Sequence, residues 1–157
     1  MPSMRFNHME LTVARGTLDD AWRADLRSFF GGVLGWQDTS YELFGQVGHL
    51  LTPDDGQFVL VMEVDHPMQA PSYDHLGLLV DSPGQVDELL EQCRRFAEKD
   101  DRLQLKELDD LTPPGVVCHA FYVRYLLPIW FDVQSLTYEQ PAARGSWRYV
   151  PAGPAAR

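Results

Sequence analysis

The residues of this chain whose types and spacing point to chemistry are two histidines in matching surroundings. Phe6-Asn7-His8-Met9-Glu10-Leu11-Thr12-Val13 comes back, rewritten, as Tyr73-Asp74-His75-Leu76-Gly77-Leu78-Leu79-Val80. Each copy reads aromatic, Asn or Asp, His, apolar, any residue, Leu, Thr or Leu, Val. Neutral imidazole is the commonest protein ligand for metal ions, so a duplicated histidine raises the question whether the two share one divalent ion. Glu10 follows His8 by two positions, which on a strand puts both side chains on one face and offers a general base or a partner that orients the imidazole. His49 and His119 stand at comparable places ahead of the two later corners and offer pocket contacts. Arg124, next to Tyr125, offers a contact to a carboxylate or phosphate if it is the inward one of the two.

These residues need elements to carry them. Residues 6–13 alternate as a strand does. Thr17 followed by Asp20 resembles a capping box, and Asp19 and Asp20 suit the positive end of a helix dipole, so a helix is expected to start there. Ala21, Trp22, Leu26, Phe29 and Phe30 give it a buried stripe until Gly31-Gly32 ends it. Residues 34–44, 46–52 and 58–64 read as strands, divided by Gly45 and by the Pro53-Asp54-Asp55-Gly56 turn. A linker with Pro67 and Pro71 follows, and then the plan repeats.

In the second unit Ser82-Pro83-Gly84-Gln85 supplies an N-cap Ser, a Pro at the first helical position and a Gln three after the cap. Val86, Leu89, Leu90, Cys93 and Phe96 then form a buried face, with Asp87, Glu88, Glu91, Arg94 and Arg95 on the wet one. Strands are expected over 103–108, 116–126 and 129–137. The sequence therefore reads as an α+β chain with one domain over 1–140, built from βαβββ modules at 6–66 and 73–138. Residues 139–157 turn to Pro, Ala, Gly and Arg and are expected to be irregular, with Trp147 and Tyr149 available to tie part of them to the body.

The excess of 23 acidic over 13 basic residues gives a net charge of −10, spread along the chain. Such a field repels phosphate backbones and anionic lipid, so neither nucleic acid nor a membrane surface is an expected partner. The apolar runs fall well short of the ~20 residues that cross a bilayer, and the first residues lack a leader pattern, so a cytoplasmic location is expected. Cys93 and Cys118 have no disulfide or zinc-knuckle spacing and read as small core residues. Gly31-Gly32-Val33-Leu34-Gly35 closes a helix instead of opening one, which removes the context of a phosphate-cradling loop, and no Gly-x-Ser-x-Gly is present.

The paired His-bearing strands, the run Phe29-Phe30-Gly31-Gly32-Val33-Leu34-Gly35-Trp36 and the twofold βαβββ order together resemble the vicinal oxygen chelate superfamily over residues 5–138. That superfamily includes glyoxalase I, extradiol dioxygenases, methylmalonyl-CoA epimerase, and the fosfomycin and bleomycin resistance proteins. The resemblance implies a glyoxalase-like fold in which two modules pair their sheets into a cup. It also implies a divalent ion between the first strand of each module and the last strand of one or both. His8 and His75 match the first-strand ligand positions. In many relatives the last strand of the second module follows a Pro-Asp-Gly turn and carries a Glu four residues after the Gly. Here the corner is Leu126-Leu127-Pro128, and the same count from Pro128 gives Asp132, one methylene shorter. Gln134, two residues on, is the other pocket-facing group. In the first module Glu63 matches Gln134 in a gapless alignment and is a fourth ligand or base; counting from Gly56 puts Leu60 at the ligand position instead.

Two neutral imidazoles with one or two carboxylates suit Zn, Fe, Ni, Co or Mn and leave positions open for substrate oxygens. The implied function is a small metal-dependent lyase, isomerase or dioxygenase that holds a small organic substrate through two adjacent oxygens. Glu10 or Glu63 is then the catalytic group, and His49, His119, Arg124 and Gln134 touch substrate. A second implied reading is a metal-free cup that sequesters an aromatic or cationic small molecule, as bleomycin resistance proteins do. A third is an interaction domain whose cup is filled by its own side chains. Relatives often pair modules across subunits, so a homodimer is expected.

Overall fold

A computed structural model describes residues 6–43 and 45–140. Trp147, Tyr149 and the stretch from residue 141 onward, expected to be irregular, lie outside the described residues. The first module runs β1 (His8–Ala14), α1 (Asp20–Leu26) continued by one π-helical turn (Arg27–Gly31), β2 (Gln37–Leu43), β3 (Gln46–Asp54) and β4 (Gln57–Val64). The second runs β5 (His75–Leu79), α2 (Pro83–Ala97), β6 (Gln104–Glu107), β7 (Val116–Arg124) and β8 (Trp130–Tyr138). Each module forms its own four-stranded sheet, in the orders β1-β4-β3-β2 and β5-β8-β7-β6. The twofold βαβββ plan and α+β class expected from the sequence are those of the structure. In both sheets the first strand pairs in parallel with the last, and the other neighbours are antiparallel.

The α2 cap is the one its sequence encodes: Ser82 is extended and its side chain accepts from the Gln85 N–H, while Pro83 opens the helix. At α1 the cap is Asp19 instead of Thr17, its Oδ1 accepting from the Trp22 N–H at 2.7 Å, while the Thr17 backbone N–H closes a turn on the Ala14 carbonyl two residues ahead of the cap. The end of the first helix widens, with the Gly32 N–H donating five residues back to the Arg27 carbonyl at 3.1 Å. Gly32 is required there for room: a Cβ would come within 2.4 Å of the Ser28 carbonyl oxygen. The wide turn brings consecutive rings, Phe29 and Phe30, into full burial.

Those two rings join the modules. Phe29 meets Phe96 of α2 at 5.2 Å and Tyr125 at 5.1 Å, while Phe30 and Trp36 meet Phe131 of β8 at 5.4 and 5.8 Å, all in tilted or edge-on contacts. One hydrophobic core therefore contains Leu11, Val59 and Val61 of the first sheet, Phe121, Val123, Phe131 and Val133 of the second, and the buried residues of both helices. Cys93 belongs to it, its thiol pushed up to about 12 by burial. Cys118 does not: it is half-buried on the opposite face of its sheet, because its strand alternates. Among the described residues no helix is long and apolar enough to cross a membrane.

A polar clasp reinforces the aromatic join. Arg102, after α2, reaches Asp25 of α1 at 2.7 Å and also holds Asp100, whose carboxylate lies well below its ordinary range chiefly because of that guanidinium. The fully buried Tyr125 donates its hydroxyl to Asp100 at 2.6 Å and accepts from Arg102 at 3.1 Å. Its hydroxyl titrates above the usual tyrosine range, first because it is buried. Tyr125→Phe keeps the ring contacts and removes a hydrogen bond to a charged group. Chemical denaturation is expected to show a loss of about 1–3 kcal/mol with an unchanged m-value.

Candidate functional site

The parallel pairing aligns the two modules without ambiguity. His8 lies opposite Phe58 and His75 opposite Trp130, so Phe58 and Trp130 are counterparts, Leu60 matches Asp132, Met62 matches Gln134, and Glu63 matches Ser135. The sequence reading in which Glu63 matches Gln134 is replaced by this register. Glu63 lies on the helix side of its sheet, where its Oε1 accepts the Leu18 N–H at 2.6 Å ahead of α1. It is therefore on the face opposite His8 and Glu10, and its local role is to satisfy backbone.

Paired residues share a face, so each sheet can be read row by row. On the open face of the second sheet, one row holds His75, Trp130, Arg124 and Gln104, the next Gly77, Asp132, Tyr122 and Lys106, and the third Leu79, Gln134 and Ala120. Asp132, Gln134 and Arg124 thus share that face with His75. His49 and His119 do not, because both lie on the helix-bearing side. His49 is fully buried opposite Val61, its Nδ1 3.1 Å from the Ser40 hydroxyl, and burial holds it neutral by pushing its pKa down. His119 is clamped between Asp110 at 2.6 Å and Asp87 of α2 at 3.0 Å, and these two carboxylates, Asp110 foremost, raise its pKa. The two are not duplicates of one another: the residue opposite Val61's counterpart, Val133, is Phe121.

The chemistry concentrates at His75 and Asp132. His75 Nδ1 lies 2.8 Å from the Tyr73 carbonyl oxygen, which can only accept, so Nδ1 carries the proton and Nε2 presents a bare lone pair in the neutral ring. Tyr122 stacks on the ring at 5.1 Å and fixes its plane. Nε2 stands 3.9 Å from Asp132 Oδ2. Asp132 Oδ1 is buried with no hydrogen-bond partner among the described residues, and burial raises the carboxyl's pKa, partly offset by His75. A buried carboxylate with one oxygen unsatisfied and the other 3.9 Å from an imidazole lone pair is a donor pair of the kind a divalent cation takes up.

His8 is prepared in the same way. Asn7 donates its amide nitrogen to the Gly56 carbonyl, which turns its Oδ1 toward His8 Nδ1 at 2.8 Å; Nδ1 donates and Nε2 is left bare. Phe58 stacks flat on the ring at 4.8 Å. Yet among the described residues no group of three His, Cys, Asp or Glu side chains is placed to hold one ion, so His8 stands apart from His75 and Asp132 within one chain. The open face of the first sheet has an apolar centre, with Leu60 and Met62 nearly buried and the Tyr41 ring and Met62 sulfur lying over Gly48.

Sequence reasoning expects Trp130 in the core or the cup wall, but it does not single out Tyr73 and Tyr122, which join it on the second open face. Tyr73, Tyr122 and Trp130 lie within 5.4 to 6.5 Å of one another, Arg124 lies 4.8 Å over Trp130, and Lys106 lies 3.7 Å over Tyr73. The available signal was the alternation that places Tyr122 and Arg124 on one side of β7; Lys106 becomes a member only through cross-strand register.

No family model matches the sequence, and no curated protein matches it. Solved structures do match the fold. A glyoxalase family protein from Bacillus anthracis superposes with a TM-score of 0.61 at 14% identity, covering 87% of this chain and 98% of that one. A mutant of the fosfomycin resistance protein FosX from Listeria monocytogenes, complexed with Mn(II) and 1S,2S-dihydroxypropylphosphonic acid, matches with 0.55 at 17%, covering 85% and 92%. A glyoxalase/bleomycin resistance protein from Albidiferax ferrireducens matches with 0.51 at 13%, covering 83% and 97%. The chain has the fold of these glyoxalase-family, fosfomycin resistance and glyoxalase/bleomycin resistance proteins.

The first module carries Leu where the second carries Asp132, which suggests a direct measure of what that carboxylate costs. Asp132→Leu removes a buried carboxylate with one unsatisfied oxygen and is expected to stabilise the metal-free protein by about 1–3 kcal/mol at neutral pH. Because burial raises the native pKa of Asp132, its cost is full above that raised value and absent below the ordinary carboxylate pKa. The electrostatic part of the gain should therefore shrink as the pH of urea denaturation is lowered toward 4.

Proposed function

We propose that this chain is a divalent-metal-dependent enzyme of the vicinal oxygen chelate type that acts on a small organic molecule. His75 and Asp132 of one subunit hold the ion together with His8 of a second copy of the chain. The observation that carries the reading is the Asp132 carboxylate, with one oxygen orphaned and the other 3.9 Å from an imidazole whose other nitrogen is already committed to a backbone carbonyl. His8 has the same preparation but no second donor in its own chain, which is why a second copy is invoked.

A metal at this site supplies Lewis acidity to two adjacent substrate oxygens, which suits lyase, isomerase or dioxygenase chemistry. The chain's own groups do the rest. Tyr73 O and Asn7 Oδ1 hold the imidazoles in the tautomer that leaves Nε2 free. Tyr122 and Phe58 keep the rings from turning. Glu10 shares the face of His8 and is placed to move a proton once a second module closes over it, whereas Glu63 is held on the other side by Leu18. Gln134 lies over Gly77, where a Cβ would come within 3.0 Å of its Nε2, and offers an amide to a substrate oxygen. The manganese-bound FosX complex supports the use of a divalent ion on this fold. The second reading, a metal-free protein that binds a small molecule, is favoured by the aromatic trio of Tyr73, Tyr122 and Trp130, which needs no ion to hold a planar ligand.

Mn²⁺ titration calorimetry with parallel sedimentation separates these readings. His75→Ala, Asp132→Leu and His8→Ala should each weaken the metal by more than about 100-fold. Mixing unfolded His8→Ala and His75→Ala chains and refolding them together should restore half of the sites in hybrid dimers, since one of the two sites then has every donor. Undiminished metal affinity in all three variants, or no binding by the wild-type chain, would sink the proposal in favour of the metal-free reading.

A further inference from the structure

The structure assigns a charge to the ligand: we propose that Arg124 and Lys106 receive the acid group of a planar aromatic ligand whose ring lies on Trp130 and Tyr122. The chelating end of that ligand, at His75 and Asp132, rests on the function proposed above; the acid end does not.

The first observation is electrostatic. Among the described arginines, Arg15, Arg23, Arg27, Arg94, Arg95 and Arg102 each lie within reach of a carboxylate. Arg124 has none among the described residues; its Nη2 donates only to the neutral Gln104 amide oxygen at 2.6 Å. Lys106 likewise has no carboxylate among the described residues, and its ammonium sits on the Tyr73 ring. The residues outside the described part contain no Asp or Glu. In a chain of net charge −10, two cations left without acids on one face of one sheet stand out, and the rest of the guanidinium fork of Arg124 is free to take a carboxylate.

The second observation is geometric. Tyr73 enters from the β5 edge, rests on Trp130 at 5.4 Å and reaches Tyr122 of β7 at 6.1 Å, where Lys106 from the far edge strand β6 meets it. This half-exposed ring makes no hydrogen bond among the described residues through its hydroxyl, so ring contacts and the Lys106 ammonium hold it across the face. A ligand ring can take its place between Trp130 and Tyr122 and hand its acid to the two cations. Asp132 and Lys106 share a row and are separated by two strand spacings, about 10 Å. A single ring with adjacent oxygens at one end and an acid at the other fits that span. A cationic ligand would meet Arg124 beside Trp130 and Lys106 beside Tyr73, two charges of its own sign, whereas an acid group is attracted by both.

The test uses three ligands of one shape: 3,4-dihydroxybenzoate, its neutral amide, and 3,4-dihydroxybenzylamine, titrated calorimetrically into the whole protein with and without Mn²⁺. The acid is expected to bind about tenfold more tightly than the amide or the amine in both conditions. Arg124→Gln and Lys106→Gln should each reduce acid binding about tenfold while leaving the amide within about twofold. An amine that binds as well as the acid, a preference for the acid that survives both substitutions, or no binding of the acid in either condition overturns the inference. Mn²⁺ that fails to tighten any of the three, with the preference for the acid intact in metal-free protein, tells against the metal and leaves the anion site standing.

Discussion

The parallel pairing of first and last strands is the constraint from which the rest of this structure follows. It puts each histidine of the repeated stretch one strand away from a single partner position, and alternation then decides which of the last strand's residues share its face. In the second module that selection yields Trp130, Asp132 and Gln134; in the first it yields Phe58, Leu60 and Met62. The same scaffold therefore gives one polar face and one apolar face, although both carry a histidine locked in the same tautomer by an oxygen on Nδ1.

The helices take the remaining face of each sheet. Once Phe29 and Phe30 are driven into the second module's core, most side chains on the helix side pack or satisfy backbone and charge, although His49 Nε2 and Ser135 Oγ are buried there without a hydrogen-bond partner among the described residues. Polar residues that fall there become structural whatever their type. Glu63 completes a helix approach, His49 is held neutral by burial against Ser40, and His119 bridges α2 to the loop before β7 through Asp87 and Asp110. Chemistry is left to the other face by exclusion.

Much of this was legible in the sequence because it rests on local signals. The duplicated stretch, the Ser82-Pro83 helix start and the spacing of Val86, Leu89, Leu90, Cys93 and Phe96 are each written within a few residues, and each gives the element it implies. What was not legible depends on register. A gapless alignment of β4 with β8 puts Glu63 against Gln134, and only the pairing of His8 with Phe58 and His75 with Trp130 shows that Leu60 is the counterpart of Asp132. His49 and His119 look like a repeated pair in the sequence, yet they stand two residues out of step on their sheets. Cys118 has the composition of a core residue but the wrong parity. Lys106 joins Tyr73 only because side chains from the two edges of one sheet meet across its face, a contact no linear pattern announces.

The corner ahead of β8 gives this dependence a sharper form. Leu126 sits in the left-handed region at φ 57°, the only described residue other than glycine to do so, and Leu127 turns back onto the Tyr125 carbonyl at 2.6 Å. Tyr125 is anchored on one side of this kink and Trp130 begins the strand on the other, so the corner acts as a fixed spacer that sets the phase of β8. A slip of β8 by one residue would pass the side chains of the whole strand through the sheet, burying Trp130 and Asp132 among the helices and turning Phe131 and Val133 out, and the burial of Phe131 and Val133 opposes it. The identity of the site is therefore carried by the phase of that strand as much as by the residues along it, and the residues that hold the phase are the ones buried on its other side.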